Sequence, residues 1–170
     1  ITSQEKAELK QKLREESYLF DEDDMLAKEA KYAEEVEKYG KATDQTHFET
    51  AVCLLRSEDL KTILSGCQML EHLVEMSPED NPNLSTYRYF LAEGWFRVNE
   101  FTKCRDICDA IIKTGPQDRK IYVLRACASE KVTTEIAVGI LSVGAALVGT
   151  SAIIGATAVT LGYLFSRGKR

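Results

Sequence analysis

Five cysteines and two histidines are the residues best suited to chemistry in this chain. Cys104 and Cys108 stand four apart, so a helix puts both thiols on one face. Two thiolates can begin a metal site, but a tetrahedral set needs two more ligands. Only His47 and His72 offer imidazoles, and no Cys-x-x-Cys pair is present. With Cys53, Cys67 and Cys127 the thiols form an odd set, each inside an apolar helical pattern. They read as reduced cysteines packing as small hydrophobes in a reducing compartment. Asp21-Glu22-Asp23-Asp24 gathers four carboxylates. The run lacks the alternating ligands and the glycine of a calcium loop. It reads instead as the start of a helix, where carboxylates meet the positive end of the dipole. There is no Gly-rich phosphate loop, His-Glu-x-x-His or Gly-x-Ser-x-Gly. These residues point to no catalysis, no metal and no cofactor.

The elements that carry them are helical. Strand alternation is nearly absent, and apolar residues recur at three- and four-residue spacing. Met25, Tyr32 and Val36 mark one amphipathic helix. Phe48, Ala51, Val52, Leu54 and Leu55 mark the next, followed by Ile63, Leu64, Cys67, Leu70 and Val74. Asp80-Asn81-Pro82-Asn83 is a turn, and Ser85 is the expected N-cap of the helix beyond it. That helix holds Tyr87, Phe90, Leu91, Gly94, Trp95 and Val98. Cys104, Ile107, Cys108, Ile111 and Ile112 form another, closed by Gly115-Pro116. Ile121, Leu124 and Cys127 form the sixth. Short loops between them predict an all-α, six-helix antiparallel bundle over residues 21–135. Residues 1–20 are highly charged and read as a separate arm, helical or disordered, able to fold back on the body.

Residues 136–165 contain no Asp, Glu, Lys or Arg. About 20 apolar residues suffice for a helix to cross a bilayer, and glycine is tolerated there. The segment is expected to be a single transmembrane anchor. A basic tail, 166–170, carries Arg167, Lys169 and Arg170 and is read as a targeting signal. An anchor so late in the chain leaves the N-terminal domain cytosolic. A glycine-bearing anchor with a short basic tail suggests the mitochondrial outer membrane or peroxisomes. The tail holds three of the 22 Lys and Arg and none of the 27 Asp and Glu. That leaves 19 against 27, a net charge of −8, on residues 1–135. Nucleic acid, which wants a basic stripe, is excluded as a partner. A homo-oligomer is left open.

The chain also repeats. Phe48-x-x-x-Val52-x-x-Leu55-Arg56 returns 41 residues later as Tyr89-x-x-x-Glu93-x-x-Phe96-Arg97. The second unit fits the tetratricopeptide pattern, with Leu91 and Ala92, Trp95, Cys104, Phe101 and Pro116 at its marker positions. Two such helix pairs predict a core of Leu91, Ala92 and Trp95 and a concave groove on the other face. By helical spacing the groove takes Phe48, Val52, Leu55, Arg56, Tyr89, Glu93, Phe96 and Arg97. Exposed apolar surface rimmed by charge marks a binding site, suited to an amphipathic helix or extended peptide. The arm offers Leu9, Leu13, Leu19 and Phe20 as an apolar cover: a permanent cover would make this face part of the core, and a reversible one predicts autoinhibition.

Thr46 through Ser57, reading THFETAVCLLRS, resembles the Phe-x-x-Ala-x-x-Leu-[Val/Leu]-Arg-Ser segment of the mitochondrial fission 1 protein family. Tyr89-Phe90-Leu91-Ala92 through Gly94, Arg97, Glu100 and Phe101 is similar to its partner segment. The glycine-rich anchor and basic tail complete the resemblance, over residues 22–170. It implies a bundle on the outer face of mitochondria and peroxisomes. There it would help recruit a dynamin-related GTPase, directly or through a soluble adaptor held in the groove. Glu93 and Trp95 depart from the family pattern. A tail-anchored chaperone receptor is the alternative, although Ala51 to Ser57 supplies only Arg56 toward its carboxylate clamp. An apoptosis regulator would need an Asn-Trp-Gly-Arg signature, which is missing.

Overall fold

A computed structural model describes residues 1–115 and 118–148, and every regular element among them is an α-helix. These are α1 (Ser3–Tyr18), α2 (Glu22–Tyr39), α3 (Asp44–Leu55), α4 (Leu60–Met76), α5 (Leu84–Arg97), α6 (Phe101–Thr114) and α7 (Arg119–Val148). Seven helices rather than six are therefore present among the described residues, because the arm is itself a helix. The chain divides into two units, Ile1–Val132 and Thr133–Arg170. The site lies wholly in the first. The second holds the rest of α7 among its described residues. No helix of the described residues is long and apolar enough to cross a membrane. Of the expected anchor, residues 149–165 lie outside the described residues. So do Pro116 and the tail with Arg167, Lys169 and Arg170.

Local chemistry sets the helix ends. Asp21 caps α2 by accepting from the Asp23 amide at 2.9 Å, and Glu22, Asp23 and Asp24 fill the first turn. The acidic run is thus a helix start, as its dipole logic requires. Gly40 ends α2 at φ 77°, with its N–H donating to the Val36 carbonyl at 2.8 Å. This left-handed position suits glycine. Thr43 and Asp59 cap α3 and α4. Gly115 closes α6 at φ 116°. For α5 the cap is Asn83, not Ser85, which lies inside the first turn. The turn bonds through Asn81, whose side chain accepts from the Asn83 amide, so the chain enters the helix two residues early.

Packing runs from α2 to α3, α3 to α4, α4 to α5 and α5 to α6, with α3 also touching α5. Leu91, Ala92, Trp95, Phe101, Cys104 and Cys108 are all buried, as are Ala51 and Leu54 one repeat earlier. Two glycines let the pairs close. A Cβ on Gly66 would lie 2.8 Å from the Ala51 carbonyl, and one on Gly94 would lie 2.7 Å from Cys67 Sγ. Neither position has room for a side chain.

Candidate functional site

The two repeats present their equivalent residues very differently. On α3, Phe48 and Val52 are half-buried and Arg56 is exposed. Phe48 stacks toward α5, with ring centroids 5.1 Å from Tyr87 and 5.4 Å from Phe90. Beside it, Phe48, Val52, Cys53 and Arg56 line an open cavity of about 240 Å³ with Asp24, Lys28 and Glu49. Lys28 Nζ bonds Asp24 Oδ1 at 2.7 Å, and Cys53 Sγ approaches Asp24 Oδ2 at 3.7 Å. Leu55, expected in the groove, is fully buried instead. Its methyls fill the space that Gly66 and Gly94 leave open, so it belongs to the joint between helices.

On α5 the expected groove residues are covered. Tyr89 and Glu93 are buried, the Arg97 side chain is only 7% exposed, and Phe96 is half-buried. The cover is α1. Leu9 and Leu13 join the core cluster that contains Tyr89, Val123, Leu124 and Cys127. Leu19, the third expected cover residue, is 81% exposed and makes no such contact, and Phe20 is only half-buried. Helix α1 ends at Tyr18, which carries the chain away before these two can turn inward.

Arg97 holds the arm. Its guanidinium donates to Glu16 at 2.6 Å, to the Leu13 carbonyl at 3.0 Å, to Ser17 Oγ at 3.0 Å and to Glu93 at 3.2 Å. This contact answers a weakness of α1. The helix ends in Glu15 and Glu16 with no basic residue in its last turn, opposing its own dipole. A helix of this length is marginal alone in water. Arg97 supplies the missing cation from 81 residues away. At the other end, Thr2 and Glu5 form a capping box, and Arg119 bonds Glu5 at 2.8 and 3.0 Å. That bond holds the half-buried Glu5 carboxyl down at about 2. Lys6 reaches Glu130 at 3.2 Å.

Electrostatics single out Glu93. Burial lifts its carboxyl above the ordinary range, and Arg97 pulls it back only in part. Tyr89 is pushed up by burial, and its hydroxyl has no hydrogen-bond partner among the described residues. Lys120 Nζ sits 4.7 Å over its ring. Four of the thiols are poor nucleophiles. Burial raises Cys53 and Cys127 and takes Cys67 to about 12, while Cys104 is raised first by its bond to Cys108. His47 donates from Nε2 to the Met69 carbonyl at 2.9 Å, and burial lowers its pKa. Among the described residues no three His, Cys, Asp or Glu side chains are placed to hold a metal. The arrangement grips a helix.

Sequence spacing missed Glu16, Ser17, Glu5 and Arg119. The Glu93–Arg97 spacing of four was the one local signal of the network.

No protein-family model matches the chain. Among curated proteins it is similar to the mitochondrial fission 1 protein of Yarrowia lipolytica, 29% identical over 112 residues, 66% of this chain and 71% of that one. The mitochondrial fission 1 protein of Homo sapiens is 27% identical over 133 residues, 78% of this chain and 86% of that one. The crystal structure of fission protein Fis1 from Saccharomyces cerevisiae aligns with a TM-score of 0.62 at 17% identity, covering 70% of this chain and 88% of that one. Yeast Fis1 in complex with an Mdv1 fragment aligns with a TM-score of 0.61 at 16% identity, covering 68% and 87%.

Proposed function

We propose that this chain, a relative of the mitochondrial fission 1 proteins, is a receptor that recruits the division machinery to an organelle surface. The observation that carries the reading is the apolar, charge-rimmed face of α3. Phe48 and Val52 stand half-buried beside Arg56, over an open cavity. Two tetratricopeptide-like pairs, α3–α4 and α5–α6, leave that face for a partner helix or peptide. The relative whose complex contains an Mdv1 fragment supports a soluble adaptor as the partner. A dynamin-related GTPase then arrives through the adaptor or directly.

In this reading residues 21–135 are the cytosolic bundle and residues 136–165 anchor it in the mitochondrial outer membrane, and in peroxisomes. The tail with Arg167, Lys169 and Arg170 directs targeting. Residues 1–20 are autoinhibitory: Leu9 and Leu13 take the apolar half of the groove, and Arg97 latches them there. A partner that needs Tyr89, Glu93, Phe96 and Arg97 must displace the arm. The partner of this reading spans both repeats, so it engages Phe48, Val52 and Arg56 together with these α5 residues.

The test is capture by the membrane-embedded full chain from an organelle extract, scored for a dynamin-related GTPase or its adaptor. Val52→Glu and Arg56→Glu should abolish capture while helix content stays unchanged. Capture of neither protein, or capture indifferent to both substitutions, refutes the assignment.

A further inference from the structure

We propose that the docked arm and the turns of the two helix pairs together form a second docking site, for an acidic amphipathic helix of a partner protein. This partner binds only while the arm is in place. The proposal rests on the docked arm and not on the fission assignment.

The site is a cavity of about 450 Å³ between α1 and the ends of α3, α4 and α5. Its floor is apolar. Leu13 and Ile63 are buried there, and Phe96 is half-buried with its ring held edge-on by Phe101 at 5.3 Å. Its rim is cationic. Lys10 and Arg14 stand one turn apart on α1 and both are exposed; neither has a carboxylate within ion-pair distance among the described residues, although Lys10 lies near enough to Glu130 to help hold its carboxyl down. Arg97 also lines the cavity, but Glu16 and Glu93 already neutralise it. The one carboxylate in the lining is Glu58. In a domain whose net charge is −8, an apolar hollow edged by two exposed cations is an exception. It complements a ligand that is acidic and apolar together.

The shape favours a helix. Lys10, Arg14 and Tyr18 recur every four residues, a row spanning about 12 Å along α1. A partner helix laid beside this row would set apolar residues at three- and four-residue spacing into the floor, with carboxylates against the rim. Tyr18 is 71% exposed, and Leu19 stands out beside it. Tyr and Arg are residue types that anchor protein interfaces.

Half of the wall is arm and half is body, which fixes the sign of the coupling. A ligand touching both halves binds the closed form better, so it stabilises closure and opposes any ligand that displaces the arm.

The experiment is a selection from a random 16-residue peptide library against the full-length chain in zwitterionic nanodiscs. Recovered peptides should be acidic, with apolar residues at three- or four-residue spacing. Their affinity should fall at least tenfold with Lys10→Glu or Arg14→Glu, and should vanish on deleting residues 1–20. Bound peptide should slow hydrogen exchange in α1. Neutral or basic winners, affinity unmoved by Arg14→Glu, or no recovered peptide overturns the proposal. Lys10 and Arg14 are exposed, so those two substitutions keep the test decisive even if the deletion misfolds.

Discussion

Replacing Arg97 with Met removes the cation that holds the arm while keeping most of the stem that packs beneath it. Glu93, 3% exposed, then loses its compensating charge. Breaking a buried pair from one side costs about 3–5 kcal/mol. The carboxyl can escape by taking up a proton. From an ordinary value of 4.5, doing so at pH 7 costs about 3.4 kcal/mol, which caps the charge penalty. Glu93 already sits above that ordinary value, so the true cost is somewhat less. At pH 5 the same cap is only about 0.7 kcal/mol. Ser17 and the Leu13 carbonyl add little, because Ser17 Oγ still donates to Leu13 at 3.3 Å. Hydrogen exchange of the α1 amides in the full-length chain is the assay. Arg97→Met should lower protection by about a hundredfold at pH 7 and by severalfold at pH 5, after correction for intrinsic rates. Adding Glu93→Gln should recover most of the loss at pH 7. Protection that changes less than threefold, or falls equally at both pH values, refutes the latch.

Three further outcomes follow from the same geometry. In wild-type chain, a buried carboxyl with a raised pKa favours the folded state most below its unfolded value. Its own contribution to stability should therefore fall as pH rises above about 4.5, so in thermal melts the stability of wild type relative to Glu93→Gln should decline with rising pH. Gly66→Ala gains about 1 kcal/mol of helix propensity, yet drives a methyl to 2.8 Å from a backbone carbonyl. Overpacking of about 1–3 kcal/mol should win, and the variant should melt below wild type; a higher melting temperature would show that the helices separate freely. Tyr89→Phe deletes a buried hydroxyl without a partner among the described residues. It should leave stability unchanged or raise it by about 1 kcal/mol, and a loss of 2 kcal/mol in urea unfolding would reveal a bond there.

Helix identities and the inter-pair core were readable from local pattern alone. Leu91, Ala92, Trp95 and Cys104 recur at helical spacing and are buried, and Asp21 and Gly115 cap where their chemistry says they should. Spacing distinguishes one face of a helix from another, but it does not say what lies against each face. Leu55 and Phe96 occupy equivalent positions, and one is enclosed because Gly94 lets α5 approach. Tyr89, Glu93 and Arg97 have the spacing of a groove lining, and a segment some eighty residues away covers them. Leu19 shares the apolar character of Leu9 and Leu13 but falls beyond the last turn of α1. The acidic end of α1, unfavourable by itself, is balanced by a cation that sequence spacing does not place there.

The central claim is that a partner of the division machinery docks on the concave face and competes there with the arm. The most direct measurement is the affinity of the full-length chain for the captured adaptor or GTPase, with and without residues 1–20. The account predicts at least tenfold tighter binding once the arm is gone. Equal or weaker binding, with the bundle still folded, would contradict it.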